Sequence, residues 1–267
     1  KVMKYLLRTI QADWRKLRRP TLLLGTLGAV MGVSALAASI QFIMLNQQRR
    51  SRRESMFTTA MLENSHGLAS GLANAAGLLG VVALAVFAAQ TANEYTNGTL
   101  RNLLVRQPRR LVLLSGKALA MAIFSLLVVL TSAFTTIVAS YIWAAAKSID
   151  TSAWTTSEGL SYLANVFGNI YLATIGYGIF GMMLGLVFRS PISAISIGLA
   201  WTMIVEGIVS AVWDWTAKYL PGQLLSAIGS GGNPIIDYST ALPRGLIFLA
   251  LFVGIGALLF KKRDVGT

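Results

Sequence analysis

The sequence contains no cysteine and a single histidine, His66. Without cysteine, neither a disulfide framework nor a thiolate metal site is available. One histidine also excludes a metal centre built from several histidines. We therefore expect no metal site and no cofactor bound by this chain.

Charged residues are scarce as well. Only 12% of the 267 residues are charged, whereas 55% are hydrophobic. A soluble domain of this length could not bury that much apolar surface in one core. Long uncharged runs separate the charged stretches, and about 20 apolar residues suffice to cross a bilayer as a helix. We expect an integral membrane protein of the all-α class, a polytopic bundle of about six transmembrane helices in a single domain.

The charge that is present is strongly basic, with a net value of +13. In a soluble protein this excess would indicate a nucleic-acid partner. In a membrane protein it reflects basic loops retained in the cytoplasm and contact with anionic headgroups. Membrane lipids are therefore expected as partners, and nucleic acid is not.

Loop charges predict the orientation of the bundle. The predicted spans cover 21–45, 67–92, 118–146, 160–188, 192–212 and 245–260. With both termini in the cytoplasm, inner segments carry 16 Lys and Arg residues and outer segments carry 7. This asymmetry favours cytoplasmic termini. Against it, four arginines fall in the first outer loop, and their role is left open: Arg49, Arg50, Arg52 and Arg53.

The first 19 residues alternate apolar and basic positions with a helical period. Val2, Tyr5, Ile10 and Trp14 can share one face, with lysines and arginines on the rest. A basic amphipathic helix with a tryptophan lies in the membrane interface rather than across it. We expect an interfacial helix over 1–19; the alternative is a juxtamembrane basic tail.

The stretch 93–117 separates the second and third spans on the predicted cytoplasmic side. Thr99 to Val105 is expected to form a short helix after the Asn97-Gly98 break, with Thr99 as its N-cap. Leu100, Leu103 and Leu104 would group on one side. A short helix with an apolar face at the membrane surface could dock into a groove on a soluble partner. Alternatively, the segment is a basic interfacial turn that anchors the loop.

This segment resembles the cytoplasmic loop of the membrane subunits of type-2 ABC exporters. That loop has a Glu, then Gly-Thr-Leu after three residues, a pair of leucines, Pro and Arg, and a Lys where the next span begins. The matching residues follow in the same order here: Glu94, Gly98, Thr99, Leu100, Leu103, Leu104, Pro108, Arg110 and Lys117.

The resemblance implies a permease subunit of an ATP-driven exporter in a bacterial or archaeal plasma membrane. Its coupling helix would contact an ABC ATPase subunit through Glu94 and Gly98–Leu104, with Arg101 and Arg106 as salt-bridge partners. A second permease copy or a paralogue would complete a dimeric translocation pathway.

The chain lacks a nucleotide site of its own. A phosphate-binding loop needs Gly, four residues, then Gly-Lys-Ser/Thr. Gly116-Lys117 is followed by Ala118, and Leu111 stands where the first glycine is required. We therefore expect a transport subunit that is not itself an enzyme, with ATP and Mg²⁺ bound by the partner ATPase.

Polar residues inside the predicted spans are candidates for a translocation path. Glu206 lies deep in the fifth span, where an ionisable group usually faces a cavity or a partner. It is either a substrate or proton contact, or a hydrogen-bonded structural residue between helices. Asn74, Asn165 and Asn169 would line a polar route or bond between spans.

The last long connection, 213–243, is rich in Gly and Pro. Its apolar stretch 220–225 predicts one short helix that lies in, or re-enters, the outer leaflet.

Two other function classes make different demands on the sequence. An intramembrane enzyme needs paired catalytic groups, which one boundary histidine and one buried glutamate do not provide. An ATP-independent secondary transporter or channel predicts several intramembrane charges or broken helices in matched halves. The transporter or channel is the alternative to the exporter.

Overall fold

The computed structural model describes residues 2–45, 58–106 and 109–262. These residues form helices joined by turns, with no β-strand among them. The α-helices are α1 (Val2–Leu17), α2 (Pro20–Ile43), α3 (Thr59–Glu63), α4 (Gly67–Thr96), α5 (Thr99–Arg106), α6 (Arg110–Lys147), α7 (Ser157–Phe188), α8 (Pro191–Leu199), α9 (Glu206–Val212), α10 (Pro221–Gly229) and α11 (Tyr238–Lys262).

Within the part of the chain that the structure describes, six helical segments are long and apolar enough to cross a membrane: α2, α4, α6, α7, the continuous α8–α9 segment and α11. The all-α, six-span prediction is confirmed, and the chain is an integral membrane protein. A π-helical turn, Ala200–Val205, joins α8 to α9. Two 3-10 turns, Ser152–Thr155 and Asp214–Tyr219, lie in the connections. The four arginines at 49–53 lie outside the described residues.

Two spans begin well before their predicted starts. α6 begins at Arg110 rather than Ala118, and α11 begins at Tyr238 rather than Gly245. The extension of α6 includes Lys117, whose charge is neutralised by neighbouring carboxylates. The extension of α11 includes Pro243, which lacks a backbone N–H to donate within the helix. Lys117 in α6 and Pro243 in α11 therefore shift the predicted starts of these two spans by about two turns.

The centre of the bundle is the contact between α4 and α7, the most extensive of the helix pairs. Gly181 and Gly185 on α7 face the backbone of α4. A Cβ atom at Gly181 would overlap the Leu84 carbonyl oxygen, and one at Gly185 would lie 2.8 Å from the Ala88 carbonyl oxygen. These glycines therefore allow the two backbones to touch, as small residues do between membrane helices.

The glycines of α2 have a different environment. Gly25, Gly28 and Gly32 have no neighbouring atom within 4 Å of an added Cβ. α2 and the α8–α9 segment also have a much smaller buried share than α7. Both segments therefore present open faces.

α10 packs inward from the connection that follows α9. Leu224, Leu225 and Ile228 are buried and join a core cluster with residues of α7 and α11. The short helix predicted for 220–225 is thus present as Pro221–Gly229.

Candidate functional site

α5 follows α4 after a tight turn. Asn97 caps the end of α4, and Gly98 has φ +63°, a left-handed conformation that glycine adopts without strain. Thr99 donates from its hydroxyl to the Glu94 carbonyl oxygen at 3.5 Å. The turn separates α5 from α4, and α5 packs against the core of the bundle.

One side of α5 is fixed to the bundle and another is open. Leu100 is 1% exposed and belongs to the main core cluster, against which Leu103 also packs. Val105 is 80% exposed. The predicted short helix is therefore present, but its apolar side packs on this chain's own core. Leu100, a predicted ATPase contact, is thus covered by the bundle itself. The side chains of Arg101, Leu104 and Arg106 are not among those that the structure describes. Their predicted contacts with the ATPase stay predictions.

Four charged side chains, which we call the ion cluster, meet beside α5: Asp13, Lys16, Glu94 and Lys117. Asp13, Glu94 and Lys117 are buried, and Lys16 is partly exposed. Lys117 donates to Glu94 Oε1 at 2.7 Å, and Lys16 donates to the same oxygen at 2.6 Å. Asp13 Oδ1 lies 3.0 Å from the Lys16 ammonium and 3.6 Å from that of Lys117. The cluster joins α1, α4 and α6.

The cluster is electrically balanced, with two carboxylates and two ammonium groups. Charged hydrogen bonds of this length are stronger than neutral ones. Burial by itself lowers the pKa of Lys16, but attraction to Glu94 and Asp13 outweighs it and leaves that pKa raised. Lys16 therefore stays protonated and bonded to both carboxylates at neutral pH.

Sequence reasoning identified Glu94 and Lys117 but missed Asp13 and Lys16. Asp13 is the one acidic residue among the first 19, and it lies in a strongly basic helix. A single acidic residue in such a basic helix indicates an ion pair with a buried cation. Its partner could not be identified without knowing that α1 packs against α6.

The structure places Glu94 differently from the predicted ATPase contact. It is 5% exposed, and its carboxylate points into the ion cluster. Its geometry is that of a residue that positions α4 relative to α1 and α6. Gly98 and Thr99, also predicted contacts, are exposed.

A polar cleft of about 380 Å³ opens between α1, α4 and α5. The ion cluster forms part of its wall through Lys16 and Glu94. The other lining residues are Arg19, Gln90, Asn93, Asn97, Thr99 and Leu103. The end of the bundle that carries α5 thus offers both a concave polar surface and an exposed helix face.

Further contacts tie the helix ends together on this side. Arg110 donates to the carbonyl oxygens of Phe260 at 3.1 Å and Lys261 at 3.2 Å, near the end of α11. The Arg189 guanidinium lies 5.3 Å from the centre of the Tyr95 ring. α4, α6, α7 and α11 are therefore linked around the base of α5.

Glu206 is fully buried at the start of α9. Its carboxylate accepts the backbone N–H groups of Gly222 at 3.0 Å and Gln223 at 2.8 Å. These groups belong to the first turn of α10, whose N–H donors have no partner within the helix. Tyr177 of α7 donates to the Gly222 carbonyl oxygen at 2.8 Å. Of the two alternatives for Glu206, these contacts support the structural one.

Replacing Glu206 with alanine is expected to destabilise the protein by about 2 kcal/mol, because buried donors at the start of α10 lose their acceptor. Glutamine, which keeps one acceptor oxygen, should cost less. Thermal unfolding of the purified protein in detergent measures both effects. Glu158→Ala is the control, since this exposed acid in the first turn of α7 should contribute under about 1 kcal/mol. Equal losses for Glu206→Ala and Glu158→Ala would contradict the assignment.

The three asparagines predicted to line a route have separate environments. Asn74 donates to Gln41 Oε1 of α2 at 3.5 Å. Asn169 accepts from the Tyr238 hydroxyl of α11 at 2.7 Å, and Asn165 is exposed. The bonds of Asn74 and Asn169 hold neighbouring spans, and the role of all three in translocation stays a prediction.

Among the described residues, no group of three or more His, Asp or Glu side chains is placed to hold a metal ion.

Comparison with known proteins places the chain in a family. No curated protein matches it. Residues 34–266 match the family described as "Protein of unknown function (DUF2705)". This range includes the last part of α2, the other five spans, α5 and two members of the ion cluster, Glu94 and Lys117. Because this match covers well over half of the sequence, the chain belongs to the DUF2705 family.

Proposed function

We propose that this chain is the membrane-spanning permease subunit of an ATP-driven ABC exporter. It forms the translocation pathway as a dimer and couples to separate ATPase subunits. The observation that carries the proposal is the position of α5, fixed on its apolar side beside the ion cluster and exposed at Val105.

Coupling requires that a force on α5 reach the spans. α5 follows α4 directly and is anchored in the core by Leu100. The end of α4 is bonded through Glu94 to Lys117 of α6 and to Lys16 of α1. A partner that moves α5 would therefore move α1, α4 and α6 together, because separating them would strand buried charges.

The open faces of the bundle support the dimer. The exposed glycines of α2 would let a second helix approach closely. α8–α9 has a large exposed apolar surface, including Met203, Ile204 and Ile208. A second copy of the chain, or a paralogue, would cover these faces. The two subunits would together enclose a pathway, for which six helices alone leave little room.

Replacing Val105 with aspartate is expected to abolish co-purification of the ATPase, because a charge on the exposed face of α5 would oppose an apolar contact. The experiment purifies tagged chain from its native membrane and searches for a co-purifying chain that contains a phosphate-binding loop. ATP hydrolysis by the purified complex is the second readout. Met61→Asp is the matched control, since Met61 is 55% exposed on α3, before the opposite end of α4.

Loss of the ATPase from Val105→Asp but not from Met61→Asp supports the proposal. If the wild-type chain yields no ATPase under conditions that preserve complexes, the exporter proposal fails. The ATP-independent transporter or channel then becomes the better hypothesis.

A further inference from the structure

An apolar groove of about 460 Å³ runs between α6, α7 and α11. Its lining is almost entirely hydrocarbon and includes Leu111, Leu114, Ile179, Met182, Phe252 and Gly256. The groove is separate from the polar cleft beside α5, which is lined by residues of α1, α4 and α5.

Small residues create the groove. Ser115, Ala118, Gly256 and Ala257 form part of its lining. A Cβ atom at Gly256 would lie 3.3 Å from Leu186 Cδ1, so a larger side chain there would occupy the space. All three helices are long and apolar enough to cross a membrane, so we expect the groove to face lipid hydrocarbon rather than water.

The groove lies near one end of the bundle. It is lined by the first turns of α6 and by the later turns of α7 and α11. At this end Arg110 bonds to the carbonyl oxygens of Phe260 and Lys261, while Arg109 and Lys261 are exposed. Basic side chains thus stand where the apolar groove reaches the headgroup region.

We propose that this groove binds one acyl chain of an anionic phospholipid, whose phosphate lies beside Arg109 and Lys261. The apolar lining matches the hydrocarbon tail, and the basic end matches the charge of the headgroup. Basic pockets between transmembrane helices on the cytoplasmic side bind anionic headgroups in this manner. The predicted orientation assigns the lipid to the inner leaflet, and the site does not depend on an ATPase partner.

The acyl-chain part of the site is tested by filling the groove. Gly256→Leu should weaken binding of phosphatidylglycerol about tenfold, because leucine removes room for about two methylene groups. Gly254→Leu is the matched control on the same helix, since a Cβ there meets no atom within 4 Å. Native mass spectrometry of delipidated protein, titrated with phosphatidylglycerol, measures the affinity. Equal affinities for the two variants would overturn the proposal.

The headgroup part is tested by removing the basic side chains. The Arg109→Gln and Lys261→Gln double variant should lose the preference for phosphatidylglycerol over phosphatidylcholine while it still binds a lipid. Lys147→Gln, at the other end of α6, should keep that preference. An unchanged preference in the double variant would overturn the assignment of the headgroup.

Two further measurements keep the test decisive. If Gly256→Leu does not fold, Ser115→Phe fills the same groove from α6 and must show the same loss. The mass spectra also report the oligomeric state. Loss of a dimer in the groove-filling variants, without loss of bound lipid, would show that a second copy occupies the groove and would overturn the lipid proposal.

Discussion

Replacing Lys117 with methionine is expected to destabilise the folded protein by about 3–5 kcal/mol, the usual cost of breaking a buried ion pair. Methionine fills a similar volume but leaves Glu94 and Asp13 with one shared cation, Lys16. The midpoint of thermal unfolding and the denaturant concentration for half-unfolding should both fall. α1 should also detach from α6 more readily, which limited proteolysis after α1 would detect.

Two controls isolate the electrostatic contribution. Lys147→Met makes the same chemical change at the exposed end of the same helix and should leave stability nearly unchanged. Combining Lys117→Met with Glu94→Gln leaves the Asp13–Lys16 pair and restores charge balance. The double variant should therefore be more stable than Lys117→Met alone. A double variant that loses the sum of both single effects would show that the cluster does not act as a unit.

Replacing Gly181 with alanine is expected to cost about 3 kcal/mol, the upper part of the usual range for overpacking. The added methyl group overlaps the Leu84 carbonyl oxygen, and backbone cannot move aside as a flexible side chain can. α4 and α7 would have to separate along the centre of the bundle. Unfolding in detergent and the monodispersity of the purified protein measure the effect.

Gly168→Ala is the control for this change. Gly168 lies on the same helix, and a Cβ there meets no atom within 4 Å. Alanine also favours helix over glycine by about 1 kcal/mol, so stability should be equal or higher. Similar losses at positions 168 and 181 would mean that glycine flexibility, rather than close approach to α4, determines the effect.

The spans were predictable because each is a long apolar run. The second span begins at Gly67 and the fourth ends at Phe188, as expected from hydropathy. The predicted boundaries are wrong where a tertiary contact gives a residue an environment that its neighbours in the sequence do not indicate. The sequence predicts a loop position for Lys117, because an isolated charge is costly in a membrane, but carboxylates from two other helices neutralise it.

The candidate site was predictable only in its local part. The Gly98 break and the leucines of α5 are visible in the sequence, because turn and helix preferences are local. The ion cluster depends on residues up to 104 positions apart, Asp13 and Lys117, which only the packing of α1 brings together. The same holds for Glu206, whose acceptor role appears once α10 folds back onto it.

The length of α6 has a mechanical consequence. With 38 residues it is about 57 Å long, nearly twice the thickness of the hydrocarbon core. A rigid rod of that length that pivots about its Lys147 end through about 10° carries its Arg110 end through about 10 Å. In the proposed exporter, α6 would act as a lever arm, with the ion cluster holding α1 and α4 near its Arg110 end. A large displacement of α5 would then become a small rotation of α6 within the bilayer. Separating packed helices there requires force rather than a long movement.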